Sequence, residues 1–390
     1  MAEVGAQGFV AILALFSLAA VMATVCLAFR QPLILAYILT GVVIGPAGLG
    51  LLTEPASVGQ IGHTGIIFLL FLVGMELSPK RLFETLTTVA GATVLTSIIF
   101  ALVGFSLGIW VLGLDALPAI ILGMCAAFSS TIIGIKLLPT TVLHHKAMGR
   151  WVVSTLLVQD VLAVLALVAL GSMQERESLS LAFDRLLAIP GLAVVCYGCV
   201  RFGLVKLFST FDRYQEYMFL LTLGWCLGVA WLAHWIGLSH EIGAFIAGVG
   251  LATHPVSQYI AAQLRPLRDF FLIVFFVSVG ASVTLEVLWS SWWQVLLVGL
   301  VFTIGKGGLF YWVFQRLKLE DLSKEAASRL SQMSEFSLLI AAVALEKHLI
   351  GSDTAGLIVL ATVLSMTLST YWVVYHYPTP IAVSDRLRRD

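Results

Sequence analysis

The sequence predicts an all-α polytopic membrane protein, and three observations carry that prediction. Hydrophobic residues fill 59% of the 390 positions and charged residues only 11%, with a mean hydropathy of +1.00, far from the composition of a soluble domain. The apolar residues gather in runs near the ~20 residues that a helix needs to cross the hydrocarbon core. Lysine and arginine concentrate in alternate connections between the runs, the asymmetry that orients membrane helices.

The runs, bounded by Gly, Pro or charge, lie near 8–29, 32–52, 61–78, 86–113, 116–138, 150–171, 184–205, 214–236, 241–262, 267–285, 292–314, 325–346 and 354–376, and they read as thirteen spans. The start, Met-Ala-Glu-Val-Gly, lacks the positive n-region of a secretory signal, so the first run is taken as a true span. With the N-terminus outside, the inside connections hold Arg30; Lys80 and Arg81; Lys136, Lys146 and Arg150; Arg201, Lys206 and Arg213; Arg265 and Arg268; Arg316, Lys318 and Lys324; and Arg386, Arg388 and Arg389. That is seventeen of the twenty-two basic residues. The outside connections hold Arg176, Arg185 and Lys347 among Glu54, Asp115, Glu175, Glu177, Glu241 and Glu286. The expected topology is therefore N-terminus out and C-terminus in. Lys306 and Arg329 fall within spans instead.

A faint internal repeat accompanies this pattern. Phe-Leu-Leu-Phe-Leu-Val-Gly at 68–74 resembles Leu-Ile-Val-Phe-Phe-Val-Ser-Val-Gly at 272–280, and each follows a glycine-bearing span, Gly41 to Pro46 and Gly243 to Gly248. The offset from Gly74 to Gly280 is 206, and it also carries Ser129 onto Glu335. Seven spans separate the paired segments, so the halves are expected to lie upside down relative to one another, the mark of secondary transporters.

Asp160, with Gln159 beside it, stands near the middle of the run from Arg150 to Leu170. A carboxylate there costs about 2.5–3.5 kcal/mol on insertion scales, which makes it a site facing an ion or proton pathway unless it only glues helices together. One desolvated carboxylate accepts either a proton or a monovalent cation, and competition between them is exchange. The amide oxygen of Gln159 is suited to joining the cation shell or to packing between helices. Lys306 sits between Gly305 and Gly307 in the eleventh span, too far from the ends to snorkel, and the economical partner is Asp160 or Glu335. Ser129, Ser130 and Thr131 form a hydroxyl cluster matched by Gln332, Ser334, Glu335 and Ser337. Such groups serve a cation at a discontinuous helix, or serve packing, and neither segment contains a proline that announces a break. His234, Glu241 and Glu76 lie near span ends, where interfacial solvation accounts for them.

Several classes find no support. Net charge is zero, without the basic surface of a nucleic-acid binder. Cys26, Cys125, Cys196, Cys199 and Cys226 lie in apolar stretches as small packing residues, so no disulfides are expected, although Cys196 and Cys199 have redox-motif spacing. No metal-site cluster, phosphate-binding glycine loop or nucleophile elbow is present, and no cofactor is expected.

Gly41 to Leu52, Phe71 to Leu77, Phe128-Ser-Ser-Thr131, Leu157-Val-Gln-Asp-Val161, Phe276-Val-Ser-Val-Gly280, Lys306 and Leu330 to Phe336 together resemble the Kef-type potassium/proton antiporters of the monovalent cation:proton antiporter-2 family. The resemblance runs in order over essentially the whole chain. It implies the sodium/proton antiporter fold of thirteen transmembrane helices, with inverted repeats, two crossing broken helices and a separate dimerisation domain. The family's Gln-Asp pair falls on Gln159 and Asp160, its core lysine on Lys306, and its broken-helix positions on Ser129 to Thr131 and on Glu335. Residues 1–380 are then the transmembrane antiporter domain, with core helices in 116–171 and 292–346, and 381–390 a tail or shortened linker. Kef-type proteins usually continue into a nucleotide-binding regulatory domain beyond this point, and their inhibitory loop is acidic where 254–269 here carries Arg265 and Arg268, so neither nucleotide nor thiol gating is expected.

The resulting expectation is a homodimeric, electroneutral potassium/proton antiporter of the bacterial inner membrane. Asp160 would be the shared carboxylate, Gln159, Ser129, Ser130 and Thr131 the cation shell, and Lys306 the partner of a core carboxylate. Its partners would be K+, H+ and lipid. A sodium/proton antiporter of the same fold is the nearest rival, followed by a cation channel, which lacks a filter motif here, and by a membrane enzyme.

Overall fold

In hydrocarbon, every backbone N–H and C=O must find a partner within its own segment, so apolar runs of this length become helices. The computed structural model describes residues 2–390 apart from 53–54, 77–78, 140–146, 173–178, 212, 253, 255, 317–322, 383–386 and 389–390. Its helices in chain order are α1 (Ala2–Ala28), α2 (Leu33–Ile44), α3 (Pro55–Glu76), α4 (Pro79–Trp110), α5 (Ala116–Ala127), α6 (Thr131–Lys136), α7 (Ala147–Ser172), α8 (Leu179–Cys199), α9 (Val205–Thr210), α10 (Gln215–Trp235), α11 (His240–Ala252), α12 (Val256–Ala281), α13 (Leu285–Ser290), α14 (Trp292–Arg316), α15 (Ser323–Arg329), α16 (Glu335–Glu346) and α17 (Ser352–His376). A π turn at Val200–Leu204 joins α8 to α9. Of the residues assigned to loops from the sequence, Lys146, Arg176, Lys318, Arg386 and Arg389 lie outside the described residues.

Among the described residues, seven segments are long and apolar enough to cross a membrane: Val89–Trp110, Ala116–Ile135, Trp151–Gly171, Ala188–Thr210, Gln215–Trp235, Trp292–Arg316 and Ser352–His376. Ile12–Ala28, Leu33–Ile44, Thr64–Met75 and His240–Ala252 are shorter apolar helices. This is a multi-pass membrane protein. Its exposed side chains are those of a lipid-facing surface, with Trp110, Trp231, Trp235, Trp289 and Trp292 all more than half exposed.

The chain divides into two compact units. One comprises 57–84 and 167–275, and there α3, α8, α10, α11 and most of α12 enclose a core that includes Phe71, Met75, Cys226, Val229, Ile242 and Ala247. In this unit α3 and α11 approach backbone to backbone, and a Cβ on Gly74 would stand 3.2 Å from the Gly248 Cα.

The other unit comprises 1–56, 85–166 and 276–390 and carries every candidate site residue. Within it α2 meets the end of α12, and a Cβ on Gly41 would stand 2.8 Å from the Gly280 Cα. The repeat detected in the sequence relates these two contacts. Gly41 and Gly74 of the first half meet Gly280 and Gly248 of the second, and an offset of 206 carries Gly74 onto Gly280 and Gly41 to within one residue of Gly248.

Gly41→Ala drives its Cβ into the Val277 carbonyl and the Ala281 amide, an overpacking that costs about 1–3 kcal/mol. Nothing lies within 4 Å of a Cβ at Gly228, where alanine relieves up to ~1 kcal/mol of helix cost. Thermal unfolding in detergent is expected to shift down by several degrees for Gly41→Ala, and to stay level or rise for Gly228→Ala.

Candidate functional site

Two spans break in mid-course. α5 stops at Ala127, and the chain runs extended through Phe128 (φ −106, ψ 149) and Ser130 (φ −72, ψ 120) before α6 begins. α15 ends at Arg329, and Ser334 (φ −93, ψ 156) precedes α16. No proline marks either break. The restart is written instead as a serine N-cap: Ser130 Oγ accepts from Ile133 N at 3.2 Å and Ser334 Oγ from Phe336 N at 3.1 Å.

The two broken helices cross antiparallel. Their long arms meet where Ser337 Oγ donates to the Cys125 carbonyl at 2.6 Å. Their short arms meet where Arg329 Nη1 donates to the Leu137 carbonyl at 2.6 Å. The breaks themselves are joined by Ser129 Oγ donating to Leu330 O at 2.8 Å and Gln332 Nε2 donating to Ser130 O at 3.3 Å.

Four helix ends therefore converge, each with backbone groups that lack a partner in their own helix. The ends of α5 and α15 present carbonyls and attract a cation, whereas the starts of α6 and α16 present N–H groups and attract an anion. Lys306, on α14 and fully buried, donates to Phe128 O and, at 3.3 Å, to Gln332 O, with its ammonium 5.4 Å from the centre of the Phe100 ring. Glu335, 6% exposed, accepts from Ile132 N at 3.4 Å and from Ser334 Oγ at 3.5 Å, and also hydrogen-bonds Ser130. The expected ion pair of Lys306 with Asp160 or Glu335 is thus not the contact that the lysine makes. The helix ends neutralise both charges, the ammonium at the carbonyl ends and the carboxylate at the N–H ends.

The glutamines serve the same purpose. Gln159, fully buried on α7, accepts from Ser129 N at 3.1 Å and donates to Ala127 O at 3.3 Å. Its amide replaces the hydrogen bonds that the first break removes. Gln332 does this at the second break, donating to Arg329 O at 3.0 Å and accepting from Ser369 Oγ at 2.9 Å. Ser129, expected to face a cation, directs its hydroxyl at Leu330.

Two contributors escaped the reading of the sequence. α17 carries a buried polar face of Thr362, Ser365 and Ser369, in which Ser365 Oγ accepts from Met333 N at 3.0 Å and Ser369 Oγ lies 3.0 Å from Ser331 Oγ. Their i, i+3, i+7 spacing was the available signal. Arg329 is 1% exposed and bound to Glu325 at 2.6 Å. The i, i+4 pairing of these two residues was its signal.

Asp160 lies at the midpoint of α7, and Thr131 Oγ1 stands 2.9 and 3.0 Å from its two carboxylate oxygens. Both residues are half-buried, whereas Ser129, Ser130, Gln159 and Lys306 are completely enclosed. The crossing therefore opens at one carboxylate and one hydroxyl. His234, assigned to an interface, stacks on His240 with ring centres 4.3 Å apart.

The family model described as "Sodium/hydrogen exchanger, transmembrane" matches residues 12–375. The "Iron transporter MagA" of Paramagnetospirillum magneticum is 31% identical over 353 residues, covering 88% of this chain and 80% of that protein. A "Glutathione-regulated potassium-efflux system protein" of Haemophilus influenzae is 31% identical, covering 86% of this chain and 55% of its own length. KefC of Enterobacter sp. strain 638, of the same description, is 29% identical with 86% and 55% covered. The chain thus spans about half the length of these potassium-efflux relatives. The solved structure of the sodium proton antiporter MjNhaP1 from Methanocaldococcus jannaschii at pH 8 superimposes with a TM-score of 0.71 at 19% identity, over 95% of this chain and 96% of that one, and so shares its fold. A helical membrane protein with crossed broken helices, matched by the exchanger family over nearly its whole length and similar in sequence to Kef-type potassium-efflux proteins, belongs to the sodium/hydrogen exchanger family.

Proposed function

We propose that this chain exchanges potassium for protons, one for one, at Asp160. The observation that carries the reading is the half-buried Asp160 carboxylate held at both oxygens by Thr131, while Lys306 and Glu335 are occupied by helix ends. A single carboxylate so placed holds a proton or a cation in turn, and replacing one by the other moves no net charge. Carboxylate and hydroxyl oxygens suit a hard alkali cation, with Ser130 and carbonyls of the first break near enough in sequence to complete its shell. Potassium is favoured over sodium by the similarity to the potassium-efflux system proteins of Haemophilus and Enterobacter. Sodium exchange is the second reading, favoured by the sodium proton antiporter whose fold the chain shares.

In this reading the crossing rocks as a body to expose Asp160 to either side. The protein is a homodimer in a bacterial inner membrane, with its N-terminus outside and its C-terminus inside. Lys306 acts as a brace that keeps two carbonyl ends from repelling, not as an ion carrier.

Proteoliposomes with an imposed pH gradient test the assignment, with potassium, sodium, lithium or ferrous iron added in turn. Potassium alone is expected to collapse the gradient without dependence on membrane potential, and Asp160→Asn to reduce proton flux to that of empty vesicles. Potassium movement without proton counterflow would establish a channel instead. Thr131→Val removes a hydrogen bond to a charged group, worth about 1.5–3 kcal/mol, and is expected to weaken apparent potassium affinity at least ~10-fold while exchange persists at high potassium.

Lys306→Met strands two buried carbonyls at about 1–3 kcal/mol each. A clear drop in thermal unfolding temperature, larger than for Thr131→Val, is expected, and an unchanged temperature would dismiss the bracing role.

A further inference from the structure

After α17 ends at His376 the chain turns back over the short arms of the crossing. Tyr377 packs with Ile133, Leu137 and the last turns of α17, and its hydroxyl lies 3.4 Å from Ser328 Oγ. Arg329 then takes hold of the next residue, with Nη2 donating to Pro378 O at 2.8 Å while Nη1 holds Leu137 O. One buried guanidinium thus joins α15, the end of α6 and the returning chain. Farther along, Arg30 at the α1–α2 junction donates from Nη1 to Ile381 O at 3.2 Å.

The two ends of this segment differ in strength. Both ends are charge-assisted guanidinium–carbonyl hydrogen bonds, but the Arg329 end is enclosed and so less screened by solvent. The Arg30 end is half-buried, and Arg30 has φ 58, a left-handed conformation that costs a non-glycine residue about 1–2 kcal/mol and persists where the surroundings hold it. Beside Arg30 the Gln31 amide (5% exposed), and within the segment the Thr379 hydroxyl (0% exposed), are buried without a hydrogen-bond partner among the described residues, although the Thr379 N–H bonds Leu387 O at 3.1 Å. Buried unpaired polar groups weaken the docked arrangement. The segment is anchored at one end and poised to detach at the other.

We propose that Tyr377–Ile381 is a releasable strap that brakes transport. It fastens the α1–α2 junction, whose α2 packs on the end of α12 through Gly41 and Gly280, to the short arms α6 and α15. All three lie in one compact unit, and the rocking of the crossing, on which this inference rests, moves α6 and α15 relative to the α1–α2 junction. The anchor reaches the site directly, because Arg329 O accepts from Gln332 Nε2 and the Gln332 carbonyl accepts from Lys306. Detachment at Ile381 removes the tie without disturbing the crossing. Arg329 is accordingly a positioning residue for the second break, and Arg30 a release point outside the ion site.

The test uses the full chain in proteoliposomes and two variants. Arg30→Ala is expected to raise potassium-driven proton exchange several-fold and to weaken hydrogen-exchange protection of the Thr379 and Ala382 amides, which bond Leu387 O and Thr379 O. Arg30→Cys with Ile381→Cys, in a Cys199→Ser background, is expected to cross-link on oxidation, to lose exchange, and to regain it on reduction. Oxidised protein that exchanges as fast as reduced protein would overturn the brake. A segment unprotected in the native protein, or cysteines that never cross-link, would overturn the docked strap. Native protein with no coupled flux, yet with protection and cross-linking intact, would defeat the antiport reading and with it the brake, leaving the strap a structural tie.

Discussion

The structure depends on the compensation of backbone charge where two interrupted helices cross. Breaking a helix in a low-dielectric interior exposes carbonyls on one side and N–H groups on the other, each costly without a partner. Here the antiparallel crossing gathers the exposed groups of both breaks, so that Lys306 serves two carbonyl ends and Glu335 the opposing N–H groups. Neither break is sustainable alone, because each borrows its partners from the other: Ser129 from Leu330, Ser130 from Gln332.

The three ionisable groups at the crossing are held in different ways. Lys306 and Glu335 are fixed by backbone dipoles whose strength does not change with pH or ion supply. Gln159 and Gln332 use amides, which donate and accept at once and never titrate, to restore the hydrogen bonds missing at each break. Asp160 differs from them in being half-buried, with the Thr131 hydroxyl, a group free to donate or accept, against its carboxylate.

The repeat gives the same logic at larger scale. The backbone contact of Gly41 with Gly280 in one unit reappears as that of Gly74 with Gly248 in the other, as expected of a duplicated pair of spans. Both rely on the missing side chain to bring helices together where lipid offers no hydrophobic drive for their association. Arg329 extends the network beyond the crossing to Pro378, so the last helix, whose Ser365 and Ser369 also touch the second break, is joined to the site by two routes.

The sequence by itself determined the class of molecule, the helix-bearing runs, the repeat and the short list of Asp160, Gln159, Lys306 and Glu335. These follow from hydropathy and from the cost of charge in hydrocarbon, both properties of single residues. It did not determine what those residues touch. Lys306 reads as the partner of Asp160 or of Glu335 because opposite charges in an apolar span attract, and only the convergence of four helix ends shows the backbone groups that Lys306 and Glu335 also meet. The breaks were placed at Ser129 to Thr131 and at Glu335 by resemblance to the Kef-type family and not by hydropathy, since Ser130 and Ser334 are unremarkable within apolar runs until the chain is seen to restart upon them. Arg329 and the polar face of α17 were hidden for the same reason, their partners lying 192 and 37 residues away. Tertiary structure decided these contacts because a hydrogen bond between distant segments depends on where both are placed, and that placement is a property of neither stretch alone.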